Sequence, residues 1–336
     1  MQENHMHRVT LEDIARRTGY TINTVSRALR DKEDISLKTR IFIQATADQM
    51  GYVRNVMASS LRSGRTRTLG LILGGLENPW YALLANELNI SAARNGYTIM
   101  LLCARDDPEM ELRMAKIAIG YQMDGILLVP SRGSRMTLER MREGKIPFLV
   151  LAREMEGEAV PQLTWDDRLG GYMAAEHLIR KGRRHLGYYS MNEMPRSTRL
   201  REEGFHQACD EAGIPMADRR VSVASPLPMA QVLTSWVSEG LDGLCAFCDS
   251  EAWQAISVLY SQGVIVPEEL GVVGFDNLQA GFPYPWPLCS VGFDMPAFAE
   301  KAIEMIRDRI HHPDGPAARE VCQLSLHCRG SCAPAR

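Results

Sequence analysis

The spacing of apolar residues changes character along the chain. Residues 9–30, VTLEDIARRTGYTINTVSRALR, hold two short runs at helical spacing, broken by Gly19-Tyr20-Thr21. Leu11, Ile14 and Ala15 fall at i, i+3 and i+4 on one face of a first helix. Thr10 precedes that helix with Asp13 three residues on, the spacing of a capping box, and Gly19 suits the left-handed residue that ends it. Thr21 caps a second helix, Ile22 to about Leu29, with Val25, Ala28 and Leu29 inward and Ile22, Asn23, Ser26 and Arg27 outward. A third helix is predicted over 37–49 behind a Ser36 cap, with Ile41, Ala45 and Met50 as its apolar stripe and Gly51 as its stop.

From Leu69 the rhythm changes. Continuous apolar runs (LGLILGG, YTIMLLC, MDGILLVP, IPFLVLA) alternate with amphipathic stretches such as WYALLANELNISAARNG and ELRMAKIAIGYQ. The alternation restarts after Trp165 with GGYMAAEHLIRKG, HLGYYSM, LDGLCAF and LGVVGFD. Strands that are apolar on both faces, separated by helices, predict parallel doubly wound sheets. Two such halves place a ligand site between them, at the carboxyl ends of the strands. The predicted fold class is an all-α helix-turn-helix headpiece followed by two doubly wound parallel-sheet α/β subdomains.

Charge sharpens this division. The whole chain has a formal net charge of −3, but residues 1–67 hold 12 Lys and Arg against 7 Asp and Glu, and the remainder 26 against 34. A basic head on an acidic body suits a head that meets phosphate. A helix presented as the second one is lies in the major groove with its first residues at base edges. There Asn pairs with adenine and Arg with guanine, and Ile22 can touch a thymine methyl. Arg16, Lys38 and Arg40 read as phosphate contacts that set register.

The segment VTLEDIARRTGYTINTVSRALRDKEDISLKTR, continuing through GYVRNVMASSLRSGRTRTLGLIL, resembles the DNA-binding headpiece of the LacI/GalR family of bacterial transcription regulators. The resemblance implies a hinge helix over about 55–61 that forms in the minor groove of operator DNA. Leu61 would be the wedge at the central base step and Ala58 the small residue beside it. A helix this short is marginal alone, and an intercalating side chain needs bent DNA to offset its cost. Arg54 stands where the family usually has proline. The DNA-binding candidates are Thr10, Thr21, Ile22, Asn23, Ser26, Arg27, Asn55, Ala58 and Leu61.

The resemblance extends over nearly the whole chain through ENPWYALL, WDDRLGGYMAAEHLIRKGRRHLGYY, RLREEGF, FCDSEAW, VPEELGVVGFDN and LHCRGSCAP. It implies a periplasmic-binding-protein-like body with an effector held between its halves by Trp80, Tyr81, Arg201, Asp249 and Asp276. The chemistry fits, since a carboxylate accepts from adjacent hydroxyls and a guanidinium donates to several oxygens. Trp80, Tyr81, Trp165 and Phe247 sit near predicted strand ends, where an aromatic face either stacks on a sugar ring or closes the core. Three departures from the family stand out: Ala152 in place of an aspartate before Arg153, Cys248 in place of an asparagine before Asp249, and the unusual segment GFPYPWPLCS. Arg153, Arg196 and Arg199 leave room for an acidic sugar or phosphate ester.

The implied boundaries are a head at 8–52, a hinge and linker at 53–67, and a core at 68–336, with one subdomain at 68–163 plus 293–325 and the other at 164–292. The expected protein is a repressor, bound as a homodimer to a pseudo-palindromic operator in double-stranded DNA and controlled by a sugar or sugar derivative. A transport-type binding protein fits poorly with the head and with a start, MQENHMHR, that has no apolar h-region. No run approaches a membrane span, so a cytoplasmic location and no membrane partner are expected. No nucleophile elbow, Walker A or dinucleotide fingerprint appears in context, and His177, His185 and His206 are scattered, so neither enzyme activity nor a cofactor is expected. Cys245-x-x-Cys248 sits in a buried strand and its end, and it reads, like Cys322, Cys328 and Cys332, as packed free thiols rather than metal ligands.

Overall fold

Three helices build the N-terminal unit: α1 (Leu11–Thr18), α2 (Ile22–Ala28) and α3 (Leu37–Gln49). The computed structural model describes residues 9–53, 65–155, 157–191, 195–284 and 286–333. The Asn55, Ala58 and Leu61 of the expected hinge lie outside the described residues. Thr10 closes a full capping box with Asp13, and Gly19 at φ 73° ends α1 in the left-handed conformation. Ile14, Ala15, Val25, Ala28, Ile43 and Ala47 form the core of this unit. The apolar stripe of α3 therefore differs from the sequence expectation. Ile43 and Ala47 are buried, with Met50 packed beside them, whereas Ile41 is 56% exposed and Ala45 faces solvent. Both rows have i, i+4 spacing and lie about 200° apart around the helix, so periodicity alone does not choose between them.

The second unit, Arg67–Arg336, holds two six-stranded sheets. The first comprises β1 (Thr68–Leu73), β2 (Thr98–Cys103), β3 (Gly125–Leu128), β4 (Phe148–Leu151), β5 (Gln162–Trp165) and β11 (Arg319–Cys322). Their order is β11-β5-β4-β3-β1-β2, parallel throughout. The second comprises β6 (Leu186–Ser190), β7 (Arg219–Val223), β8 (Gly243–Ala246), β9 (Gly271–Phe275), β10 (Cys289–Gly292) and β12 (Ser325–His327), in the order β12-β10-β9-β8-β6-β7. Only β12 is antiparallel to its neighbour. Strands β3, β4, β6, β8, β9 and β10 are buried on both faces, which is why their sequences are continuous apolar runs. The connecting helices are α4 (Pro79–Arg94), α5 (Pro108–Gly120), α6 (Arg135–Glu143), α7 (Asp167–Arg180), α8 (Pro195–Glu211), α9 (Met229–Ser238), α10 (Asp249–Ser261) and α11 (Met295–His311). Among the described residues no helix is long and apolar enough to cross a membrane.

The chain passes between the two sheets three times: after β5, after β10, and between β11 and β12. Side chains at these passages are buried together. Trp165 stacks on Phe293 with ring centroids 4.5 Å apart, Phe293 packs on Phe298, and Leu324 is buried in the third passage. Helices α7 and α8 approach backbone to backbone. A Cβ on Gly171 would stand 1.9 Å from the Arg201 carbonyl oxygen, and one on Gly204 would stand 1.9 Å from that of Arg168. Glycine is required at both positions because no side-chain movement relieves a clash with backbone.

Candidate functional site

In the first unit Ile22, 49% exposed, and Asn23 stand out at the start of α2, while Ser26 and Arg27, toward its end, are half-buried. The Thr10 hydroxyl donates to Asp13 Oδ2 at 2.7 Å and accepts from the Asp13 amide, and the Thr21 hydroxyl accepts from the Thr24 amide at 3.1 Å. Both threonines therefore fix the helix starts that aim this face. Arg27 forms an ion pair with Asp34. Arg40 donates to the Asp31 carbonyl oxygen at 3.0 Å and ties the loop before α3 to that helix. The Arg16 side chain is 74% exposed and faces solvent.

A cavity of about 390 Å³ opens between the two sheets of the second unit. Its walls come from the carboxyl ends of strands and the helix starts that follow: 77–81 after β1, Ala152 and Arg153 after β4, Trp165 and Asp167 at the end of β5, Phe247, Cys248 and Glu251 after β8, and Asp276 after β9, with Arg201 reaching in from α8. Its size falls in the range of small-ligand sites. Trp80 meets Trp165 edge-on at 5.8 Å, forming an aromatic wall continuous with the Trp165–Phe293 stack. Two residues of the wall, Ala152 at φ 69° and Asp276 at φ 111°, hold backbone conformations unusual for side chains other than glycine. Such strain concentrates at ligand sites.

Arg201 organises the polar half. It is 4% exposed, donates from Nε to Asp167 Oδ1 at 2.8 Å and from Nη1 to the Phe247 carbonyl oxygen at 2.5 Å, and lies over the Phe275 and Phe247 rings. Trp165 Nε1 donates to the same Asp167 oxygen at 3.0 Å. Asp276 and Glu251 face the same space without such a pair. Burial pushes the Asp276 carboxyl well above its usual range; Arg201 opposes this, while Asp249, Asp167 and Glu251 add to it. Burial pushes Glu251 up to about 7, against the Met191 backbone hydrogen bond and Arg201. On the opposite wall Arg153 is already engaged, donating to Asp106 at 2.7 Å, Pro130 O at 2.6 Å and Tyr81 Oη at 2.7 Å. Burial raises that tyrosine to about 12, so its ring and hydroxyl stay neutral.

The polar half thus holds two carboxyls, Asp276 and Glu251, with no cation of their own beside the Asp167–Arg201 pair. It suits a ligand whose groups both donate and accept hydrogen bonds, a polyol above all. The arginines around it are paired within the protein: Arg153 with Asp106, Arg201 with Asp167, Arg196 with Glu154, and Arg199 with Glu203.

A pH dependence follows from Glu251. Its carboxyl, ordinarily at 4.5, holds its proton in the folded chain up to about 7. The unfolded chain loses that proton earlier, so the stabilisation is complete below the unfolded value and is lost as pH rises through the folded one. A Glu251→Gln chain should lose less stability than the parent between pH of about 5 and 8, by on the order of 1–3 kcal/mol. Urea titrations at the two pH values measure this, and equal pH slopes for the two chains would refute the burial argument.

Of the effector candidates, Trp80, Tyr81, Arg201 and Asp276 line the cavity and Asp249 does not. Asp249 is 1% exposed, and its oxygens accept from Ser290 Oγ at 2.6 Å and the Leu278 amide at 2.7 Å. It is consumed in holding the loop after β9 and so acts on the cavity through Asp276. Sequence reasoning missed Asp167 and Glu251. Asp167 follows Asp166 in WDD at the start of α7, and Glu251 lies two residues beyond Asp249 in the first turn of α10, both at a strand-to-helix junction. Cys328 and Cys332, expected to be unconnected packed thiols, converge with Cys289 and His177.

Residues 10–55 match the family of bacterial regulatory proteins, lacI family, and residues 175–332 match the periplasmic binding protein-like domain. The chain is 30% identical over 279 residues, 80% of its length and 82% of the relative's, to the HTH-type transcriptional regulator DegA of Bacillus subtilis (strain 168). It is 25% identical, over 90% of its length and 91% of the relative's, to the HTH-type transcriptional repressor PurR of Actinobacillus pleuropneumoniae serotype 3 (strain JL03). Among solved structures it has the fold of the lac repressor dimer bound to operator and the anti-inducer ONPF, with a TM-score of 0.81, 19% identity and coverage of 97% of this chain and 99% of that one. It also has the fold of the transcriptional regulator CelR in complex with cellobiose, with a TM-score of 0.69, 23% identity and coverage of 96% and 100%. The chain belongs to the lacI family of bacterial regulatory proteins, DNA-binding transcriptional regulators with a helix-turn-helix head and a two-lobed α/β body.

Proposed function

We propose that this protein is a cytoplasmic, non-enzymatic repressor whose homodimer binds a pseudo-palindromic operator and whose DNA affinity is set by a polyhydroxylated effector, a sugar or sugar derivative, in the cavity between the lobes. The observation that carries this reading is the pairing of a groove-reading helix with a cavity at strand carboxyl ends where the Asp276 and Glu251 carboxyls stand beside an aromatic wall. Structures of the same fold that hold cellobiose or ribose, and one on operator DNA, support it. Residues 8–52 serve as the head, 53–67 as hinge and linker, with Asn55, Ala58 and Leu61 at the minor groove, and 68–336 as the core. Ligand control requires that the effector bind the two arrangements of the lobes with different affinity.

Selection from random double-stranded DNA, with and without a library of neutral sugars, tests the proposal. An enriched palindrome whose binding changes with one sugar is the expected result. Enrichment that no sugar alters would refute the effector class, and no enrichment at low salt would refute operator binding. On the selected palindrome, Arg27→Ala should lose about 1–3 kcal/mol of discrimination at one base position in each half-site. Because Arg27 exchanges Asp34 for the base, Asp34→Ala should tighten binding to all sequences. Single-base operator variants read both effects, and unchanged discrimination in Arg27→Ala removes that residue from base recognition.

A further inference from the structure

At the amino ends of the strands of the second sheet, away from the cavity, four donor groups meet. They are His177 in the last turn of α7, Cys289 at the first position of β10, and Cys328 and Cys332 in the segment after β12. One imidazole nitrogen and the three sulfurs lie within 4.8 Å of one another, with Cys289 Sγ 3.6 Å from Cys328 Sγ. A tetrahedron built with metal–sulfur bonds of about 2.3 Å and a metal–nitrogen bond of about 2.0 Å has edges of roughly 3.5–3.8 Å. The donor atoms are therefore spread to about the dimensions of one coordination shell. We propose that His177, Cys289, Cys328 and Cys332 form a tetrahedral site for a soft divalent cation of the Zn2+ class, which staples the C-terminal segment to the second lobe.

Several independent features point the same way. His177 is 9% exposed, its Nε2 atom is buried with no well-formed hydrogen bond among the described residues, and its imidazole interacts with the Cys289 thiol, an approach that a shared cation would turn into coordination. Cys328 and Cys332 are separated by three residues, a common ligand spacing in structural zinc sites, and Gly330 between them holds φ 113° to make the turn. The turn is fixed in place around the sulfurs. The Arg329 amide donates to Cys289 Sγ at 3.3 Å, and Ser331 Oγ accepts from the Cys289 amide at 2.7 Å and donates to the Val272 carbonyl oxygen at 2.6 Å. Amide donation to sulfur favours the thiolate that a cation requires. On binding, the three thiols release three protons and the imidazole binds neutral, leaving a net charge of −1 that the nearby Lys181 ammonium offsets. Cys328 is exposed and gives the cation its route in. A disulfide would use two of the three sulfurs and leave the third thiol and the imidazole unexplained. The donors come from three separate segments of the chain.

The test uses the full chain, reduced and stripped of metal, titrated with Co2+ alone. The expected result is one equivalent bound, with near-ultraviolet sulfur-to-cobalt charge transfer and the intense visible bands of a tetrahedral ion, displaced by Zn2+. Cys328→Ser, at an exposed position, should fold like the parent, lose about one third of the charge-transfer intensity, and bind Co2+ more than about 100-fold more weakly. Cys322→Ser, outside the cluster, should match the parent. A reduced parent chain that takes up no Co2+, or a Cys328→Ser spectrum identical to the parent's, overturns the proposal. Peptide mapping that finds Cys289 and Cys328 joined, with no Co2+ uptake after reduction, replaces it with a thiol redox pair.

Discussion

An Arg201→Ala chain should be less stable than the parent by about 3–5 kcal/mol at neutral pH and should lose the response of DNA binding to effector. Arg201 is the cation of a buried pair with Asp167, it lies over the Phe247 and Phe275 rings, and Asp276 and Glu251 stand near it. Removing one partner of a buried pair costs far more than the pair contributes, because the remaining carboxylate keeps its desolvation penalty with nothing to offset it. Acid should rescue the variant in part, since protonating Glu251 removes one of the negative charges that Arg201 offsets. Arg201→Lys should fall between the two: it keeps the charge, but one ammonium cannot reproduce the planar fork that serves Asp167 and the Phe247 carbonyl or stack on the rings. Urea denaturation at pH of about 5 and 8 separates these outcomes. A loss below about 1 kcal/mol at neutral pH would mean that water reaches Asp167 and that the pair is not truly buried.

The second large effect is expected at Gly204. Glycine to alanine within a helix ordinarily stabilises by up to about 1 kcal/mol through the unfolded chain. Here the new methyl would meet the Arg168 carbonyl oxygen at 1.9 Å and the Tyr172 nitrogen at 2.6 Å, both backbone atoms of α7. The helices must separate, and the cost of overpacking, about 3 kcal/mol or more, reverses the sign. Since Asp167 lies on α7 and Arg201 on α8, the same displacement pulls their ion pair apart. Gly204→Ala should therefore lose both stability and effector response, whereas Gly213→Ala, in an open turn at φ 67°, should lose only the smaller strain of a left-handed alanine. Similar melting temperatures for the Gly204→Ala chain and the parent would show that the helices yield without cost.

This interlock also gives a physical meaning to RLREEGF. Its arginine and glycine lie one turn apart on α8, so the glycine that admits α7 also sets the depth of the arginine. Much of the fold was legible because the doubly wound strands are buried on both faces and the head helices carry their own caps. The α3 stripe was not, because two rows of apolar residues compete and only the packing of α1 and α2 selects Ile43 and Ala47. Asp249 illustrates a different limit. Its place beside the cavity was legible, but whether its oxygens face ligand or Ser290 depends on a strand forty residues away. The cysteine cluster was unreadable because spacing rules find donors close in sequence, and here only Cys328 and Cys332 are.

The three passages of the chain between the sheets also have a consequence for synthesis. The first sheet is bounded by β11, and α11 packs against α4 and the inner strands β3 and β4, yet both elements are made after nearly all of the second sheet. At ribosomal rates of about 5–20 residues per second, the stretch from β5 to β11 takes on the order of 10–30 s to emerge. Throughout that time one flank of the first sheet lies open, while the head, whose core is closed by Tyr52, is complete. A nascent chain can therefore search DNA before it has a cavity with which to sense anything. A message truncated within β6–β10 would yield a head under no ligand's control, attached to an open sheet edge prone to self-association.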